Sequence, residues 1–308
     1  ALFGNSHVPT TIVSTFILFL VNSPMTLCMT PNSFLTTSDI TYMFALRERI
    51  YLRIYDIVVA EYSKGIELKG ACTVILPTYK ESANIVRMVG TLRQMYPDSK
   101  VLIMDDNSDD GSKELVEALD DPMVRFFVRE PKDRGLSASI FQGIAETDTE
   151  YFVNMDCDFQ HPPSAVGSIC RELEKGADLC IGIREERTAL SPIRWIASWS
   201  AHFLAVLTLW LRNKKRSKDV MSGLFGGRTD IFKEVISENS SEFEMRGFKA
   251  LYDLMKFAPE DLRVEEIEFE FGTRQGGESK LSSTVILSLL RQSEPFGKTL
   301  AKLAEKAL

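Results

Sequence analysis

Tyr151-Phe152-Val153-Asn154-Met155-Asp156-Cys157-Asp158-Phe159-Gln160 joins an apolar run to a pair of acids. The first five residues read as a short buried strand, and Pro162-Pro163 stops the pattern soon after. In extended chain, residues i, i+2 and i+4 point the same way. Carried through the motif, that alternation predicts Asp156, Asp158 and Gln160 on one face at the strand's carboxyl end. Three oxygen donors suit a hard divalent cation, Mg2+ or Mn2+, which keeps coordination positions open for phosphates. A bare Asp-x-Asp is common in solvated turns. The strand before it, the glutamine after it and the proline stop favour the metal reading. His161, next in line, reads first as a structural group and second as a ligand.

Upstream, the same alternation repeats from residue 71. Cys72 to Leu76 reads as a strand ended by Pro77, and Ile85 to Tyr96 as a helix. Val101 to Met104 is a strand closed by Asp105-Asp106-Asn107, followed by helix 112–119, strand 124–128 and helix 136–145. Strands and helices of these lengths predict a mostly parallel, Rossmann-like α/β sheet with helices on both faces. Ligands of such sheets bind beyond the carboxyl ends of the strands. No Gly-x-Gly-x-x-Gly follows the first strand and no Gly-Lys-Ser/Thr loop occurs, which disfavours dinucleotide and P-loop chemistry.

The bulk composition narrows the class further. A formal charge of −7 argues against a nucleic-acid partner, which wants a basic face. Five cysteines, odd in number and without a Cys-x-x-Cys pair, indicate neither a disulfide framework nor a zinc site. Three histidines leave little for a histidine-based triad. Residues 1–38 carry no Asp, Glu, Lys or Arg, and Ile12–Val21 is too short an apolar stretch to span a bilayer. Residues 1–70 thus read as an N-terminal extension, partly flexible, with an amphipathic helix near 43–64.

Four segments, met in order, carry a family resemblance. They are Pro77-Thr78-Tyr79-Lys80-Glu81, Met104-Asp105-Asp106-Asn107-Ser108, Arg134-Gly135-Leu136-Ser137 and Met155 to Pro163. The chain resembles family 2 glycosyltransferases of the GT-A fold, within them the polyprenyl-phosphate glycosyltransferases. Gly182-Ile183-Arg184, Arg194 with Ser198, Asp219 with Ser222-Gly223, Arg246 to Lys249, and Arg274 with Gly277 to Leu281 extend the match over about 71–294. Lys80 stands where the family usually has Asn, Cys157 where it has Ala, Val220 where it has Pro, and Glu185 where it has Tyr. The resemblance implies a glycosyltransferase domain over 71–280, and the residue pattern itself reads as C-terminal amphipathic helices over 281–308.

The resemblance also implies roles. A nucleotide-sugar donor would meet Pro77, Tyr79, Glu81, Asp106 and Arg134, with backbone N–H groups of the Gly135-Leu136-Ser137 helix start near its diphosphate. A cation on Asp156, Asp158 and Gln160 would stabilise charge on the departing diphosphate. Arg184, Arg194, Arg274 and Lys280, with the Ser198 hydroxyl, would gather a dolichyl or other polyprenyl phosphate. Asp156, Asp158, Arg184 and Arg194 are the expected catalytic set. An acceptor already anionic needs no strong base, so scarce histidine is no obstacle. Asp219 and Ser222-Gly223 would line the floor.

For the lipid, Trp195, Trp199 and Trp210 fall in one helical stretch, and five of the seven residues Arg212 to Lys218 are basic. Such a patch attracts anionic headgroups. Lys298, Lys302 and Lys306 repeat beside leucines in a second amphipathic stretch. The expectation is a metal-dependent, inverting hexose transfer, with mannose from GDP-mannose leading, by an enzyme peripheral to the cytoplasmic side of a membrane, with a small anchoring subunit as a possible partner. UDP-glucose or UDP-N-acetylhexosamine as donor, a neutral glycan as acceptor, and a non-catalytic nucleotide-sugar-binding scaffold are the alternatives.

Overall fold

The computed structural model describes residues 71–184, 203, 205–245, 247 and 249–272. These residues build a seven-stranded sheet of order β3-β2-β1-β4-β6-β5-β7. In chain order the elements are β1 (Cys72–Thr78), α1 (Ile85–Met95), β2 (Lys100–Asp105), α2 (Ser112–Glu117) and β3 (Val124–Val128). Then come α3 (Leu136–Glu146), β4 (Tyr151–Asn154), α4 (Ser164–Glu174) and β5 (Leu179–Arg184). A helical stretch at 205–211 precedes β6 (Phe225–Arg228), α5 (Thr229–Asn239), α6 (Ala250–Phe257) and β7 (Val264–Phe269). All strand pairings are parallel except those of β6, which runs antiparallel to both β4 and β5.

The central strands β1, β2 and β4 are buried at nearly every residue because both faces are covered. One face puts Ile75, Leu102, Met104, Phe152, Leu179, Ile181, Ile183 and Phe225 into a core with α3, α5, α6 and the 205–211 stretch. The alternate residues Val74, Leu76, Val101, Ile103 and Val153, all buried, point the other way. There they meet α1 and α4, whose buried stripes are Ile85, Met88, Val89 and Leu92, and Val166, Ile169, Cys170 and Leu173. The two helices are pinned to each other. The buried Tyr96 hydroxyl donates to the Pro163 carbonyl at 3.1 Å and accepts the Gly167 N–H at 3.1 Å. Tyr96→Phe is expected to lower stability by about 1–3 kcal/mol, since the Gly167 N–H then loses its partner, as read by urea unfolding.

Pro77 does not end the first strand. β1 continues through Thr78, with Pro77 opposite Met104 of β2. The ladder explains the tolerance. Ile75 is the last β1 residue paired with β4, at Asn154, and Met155 donates to the Ile75 carbonyl. Pro77 lies two residues on and faces the same side, so its missing N–H falls where β4 has already stopped. The early end of β4 leaves the carboxyl ends of β1, β2 and β4 open as a cleft. Among the described residues no helix is long and apolar enough to cross a membrane. The segments 1–70 and 281–308, read above as an extension and as amphipathic helices, lie outside the described residues.

Candidate active site

The acid motif sits at the mouth of that cleft, on bends rather than on strand. β4 stops at Asn154, and Phe159 takes φ +61°, the left-handed region that non-glycine residues avoid. Extended alternation therefore does not carry through to Gln160, and the loop itself sets the donors. The Asp158 carboxylate is buried, and its Oδ1 accepts the Gln160 N–H at 3.0 Å, which closes a tight turn around Phe159. Asp156 is more open, with a side chain 39 % exposed. Cys157 points inward, and burial, then the charges of Glu81, Asp158 and Asp156, push its thiol well above the usual range. It is a protonated packing group.

His161 serves the loop from beneath. Its side chain is 1 % exposed, and its Nδ1 accepts the Asp156 N–H at 3.0 Å. Burial holds its pKa below the usual imidazole value, with Asp156 pulling upward and Arg184 downward, which fits a neutral ring carrying its proton on Nε2. With Nδ1 committed to the backbone, the structural reading of His161 is favoured over that of a ligand. Among the described residues no group of three or more His, Cys, Asp and Glu side chains is arranged to hold a metal. The donor chemistry of the loop still fits Mg2+ or Mn2+. Two carboxylates and an amide oxygen are hard ligands, too few to fill the shell, and leave positions for water and a diphosphate.

At the ends of β1 and β2 the expected nucleotide residues come together. The Arg134 guanidinium stacks over the Tyr79 ring at 4.9 Å and donates to the Asn107 carbonyl at 3.0 Å. Glu81 holds the start of α1, its Oε2 accepting from Asn84 Nδ2 at 2.9 Å. Pro77 contributes backbone and ring only. Asp106 is strongly engaged by the protein. It pairs with Arg129 and accepts from Ser139 Oγ and the Gly135 N–H, both at 3.0 Å. The helix start is likewise committed. Ser137 N–H donates to the Gly247 carbonyl and Ala138 N–H to the Met245 carbonyl, each at 3.1 Å. Of the diphosphate contacts foreseen there, the Arg134 charge is the group left exposed to solvent.

Across the cleft, Arg184 ends β5. Its guanidinium lies 4.1 Å over the Phe271 ring, and its buried Nε has no hydrogen-bond partner among the described residues. Arg194, Ser198, Arg274 and Lys280 lie outside the described residues. The segment foreseen as the floor reaches the acids. A Cβ at Gly223 would stand 3.2 Å from His161 Cε1 and 3.6 Å from Asp156 Oδ2, and the Gly223 carbonyl accepts from Asn154 Nδ2 at 2.7 Å. Asp219 is buried and turns its Oδ1 to the Met221 N–H at 3.2 Å, while Lys249 Nζ donates to the Met221 carbonyl at 3.3 Å.

Sequence reading missed Arg129, Asn154, Phe269 and Phe271. Arg129 carried the one usable signal. It is a charged residue directly after an apolar strand, and it proves to be buried, with its guanidinium bonded to four partners, Asp106, Gln142, Ser139 and the Asp133 carbonyl.

This strand order, with the acid loop at the end of β4, defines a GT-A glycosyltransferase fold. The model of the family described as Glycosyl transferase family 2 matches residues 73–236, and the chain belongs to that family. Among curated relatives, the dolichol-phosphate mannosyltransferase of Mycosarcoma maydis is 33% identical over 238 residues, covering 72% of this chain and 77% of its own length. The enzyme of the same name from Saccharomyces cerevisiae is 33% identical, covering 71% and 84%. Among solved structures, mannosyl-3-phosphoglycerate synthase from Rubrobacter xylanophilus superposes with a TM-score of 0.51 at 12% identity, covering 81% of this chain and 79% of that one. Glucosyl-3-phosphoglycerate synthase from Mycobacterium tuberculosis in complex with Mn2+, UDP and phosphoglyceric acid gives 0.50 at 15%, covering 77% and 82%.

Proposed function

We propose that this glycosyltransferase moves mannose from a nucleoside-diphosphate donor, GDP-mannose, onto dolichyl or another polyprenyl phosphate, with inversion at the anomeric carbon. The observation that carries the reading is the 33% identity to two dolichol-phosphate mannosyltransferases over more than two thirds of the chain. The undecaprenyl-phosphate mannosyltransferase of Micrococcus luteus, 28% identical over 222 residues, supports the same acceptor class.

The residues suit that chemistry. Tyr79 and Arg134 offer a flat cationic platform for the base and the first phosphates. Asp156, Asp158 and Gln160 would hold Mg2+ or Mn2+. That cation, when bound, neutralises charge growing on the leaving diphosphate. Arg184, whose buried Nε has no hydrogen-bond partner among the described residues, would take the acceptor phosphate, and Arg194, Ser198, Arg274 and Lys280 are proposed to complete that pocket. An acceptor phosphate oxygen then forms the new bond to the anomeric carbon as the bond to the diphosphate oxygen breaks on the opposite face. The acceptor is anionic beforehand, so no side chain has to remove a proton.

A membrane surface is proposed as the place of reaction. Phe203, Trp210 and Leu211 are exposed along the helical stretch at 203 and 205–211. Arg212, Lys214 and Lys218 are tied to Phe257, the Ala258 carbonyl and Glu266, whereas Lys215 and Arg216 stand exposed beside the apolar face. Exposed Trp with adjacent cations suits an anionic interface.

The test is incubation with radiolabelled GDP-mannose, UDP-glucose or UDP-N-acetylglucosamine, Mn2+ and dolichyl phosphate, followed by solvent extraction. Label is expected in the organic phase from GDP-mannose. Label from a UDP-sugar instead would reassign the donor, and none from any donor would remove the reading.

A further inference from the structure

The acid loop and the Arg184 side of the cleft come from distant parts of the chain, yet one packed layer joins them. β7 runs beside β5 with Phe269 opposite Arg184. The chain leaving β7 then turns onto the acid loop, where the Gly272 N–H donates to the Gln160 carbonyl at 3.0 Å. Only glycine fits that approach, because a Cβ at 272 would stand 2.7 Å from the Phe159 carbonyl oxygen. Between these anchor points the His161 ring meets Phe269 and Phe271 edge-on, at centroid distances of 5.6 and 6.0 Å. Phe271 is shared. One side lies against His161, and its face carries the Arg184 guanidinium at 4.1 Å. The series therefore runs Asp156 N–H, His161 Nδ1, Phe271 ring, Arg184 guanidinium.

From this geometry we infer that His161, Phe271 and Gly272 are positioning residues that set the spacing between the Asp156–Gln160 loop and the Arg184 guanidinium. The inference rests on the transferase reading in assigning donor-side and acceptor-side roles to the two ends. His161 fixes the backbone at Asp156 and thereby the direction of its carboxylate. Phe271 supplies the flat support that holds Arg184 against the site, and among the described residues no carboxylate is paired with that guanidinium. A carboxylate partner would hold the guanidinium equally well but would cancel the charge needed for an incoming phosphate. Gly272 lets the two supports share one backbone.

Four variants separate the roles: His161→Leu, His161→Asn, Phe271→Leu and Gly272→Ala. Asparagine can present its Oδ1 near the position of Nδ1, so it is the conservative replacement. Hydrogen–deuterium exchange over 155–162 and 269–272 reads the docking without any need for activity. Faster exchange in both segments is expected for His161→Leu and Gly272→Ala, with near-normal exchange for His161→Asn. Mn2+ titration by the electron paramagnetic resonance of the free ion, in the presence of GDP, is expected to show about tenfold weaker binding for His161→Leu and substantial recovery for His161→Asn. Phe271→Leu is expected to leave Mn2+ affinity within about twofold while raising the KM for dolichyl phosphate by about tenfold, at unchanged KM for the donor.

Normal exchange in His161→Leu and Gly272→Ala would overturn the inference, as would His161→Asn behaving like His161→Leu in both exchange and Mn2+ binding. A Phe271→Leu variant that loses donor and acceptor affinity equally would also overturn it. If the wild-type protein transfers no sugar while the exchange results appear as stated, the transferase reading fails and the structural linkage stands.

Discussion

Asp156→Asn is expected to slow sugar transfer by about a thousandfold, comparable to the loss of a preorganised charge-stabilising group elsewhere in enzymology. The substitution is isosteric. It keeps the backbone N–H that His161 accepts, and it acts on a side chain that is 39 % exposed. Stability should therefore stay within about 0.5 kcal/mol of wild type in urea unfolding. What changes is the charge, and with it the affinity for a hard cation. Donor-dependent kinetics across a Mn2+ series would show the loss shrinking as the ion is raised if weaker metal binding is the cause. Asp158 should behave differently. It is buried and holds the Gln160 N–H, so Asp158→Ala should cost stability as well as activity, about 1–3 kcal/mol for the orphaned donor. An Asp156→Asn enzyme as fast as wild type at low Mn2+ would remove the charge role assigned to this loop.

The contrast between the two acids shows where sequence reading works and where it stops. The strand Tyr151–Asn154 was legible because four consecutive buried residues leave a continuous apolar run. The acids after it were legible as a hard-ligand set by residue type. Their geometry was not, because nothing in Asp-Cys-Asp-Phe-Gln announces that Phe159 adopts a left-handed backbone, a conformation fixed by the Asp158–Gln160 turn and by Gly272 pressing on the Phe159 carbonyl. The first is a local turn that many Asp residues could make but few do, and the second is a tertiary contact. β6 was hidden for a related reason. Phe225-Gly226-Gly227-Arg228 has poor strand propensity, and only packing between β4 and β5 makes it a strand, antiparallel in an otherwise parallel sheet. Pro77 misled in the opposite direction, since a proline halts a strand only where its N–H would have been used. The resemblance to family 2 supplied what periodicity could not, namely the expectation that Arg184, some 28 positions beyond Asp156, works together with the acids.

Arg129→Ala is expected to be the most destabilising of these changes, at about 3–5 kcal/mol, the usual result of leaving one member of a buried ion pair behind. Its side chain is 2 % exposed and that of Asp106 is 13 % exposed, so water cannot replace the guanidinium. Arg129 also bonds Gln142 Oε1 at 2.9 Å, Ser139 Oγ at 2.9 Å and the Asp133 carbonyl at 2.7 Å. It thus ties the ends of β2 and β3 to the first turns of α3, the same corner that presents Tyr79 and Arg134. Removing it should loosen this proposed nucleotide end of the cleft before the acid loop. Under conditions where Arg129→Ala is still folded, GDP affinity is expected to fall by tenfold or more, about 1.4 kcal/mol, whereas Mn2+ binding without nucleotide should change little. The pair can be isolated by adding Asp106→Asn. If the cost lies in the abandoned carboxylate, the double variant should recover part of the stability lost by Arg129→Ala while GDP binding stays weak, because the neutral amide tolerates burial and the corner remains untied. Additive losses in the double variant would instead place the energy in the Gln142, Ser139 and Asp133 contacts, and would make Asp106 a ligand group whose charge the fold does not depend on.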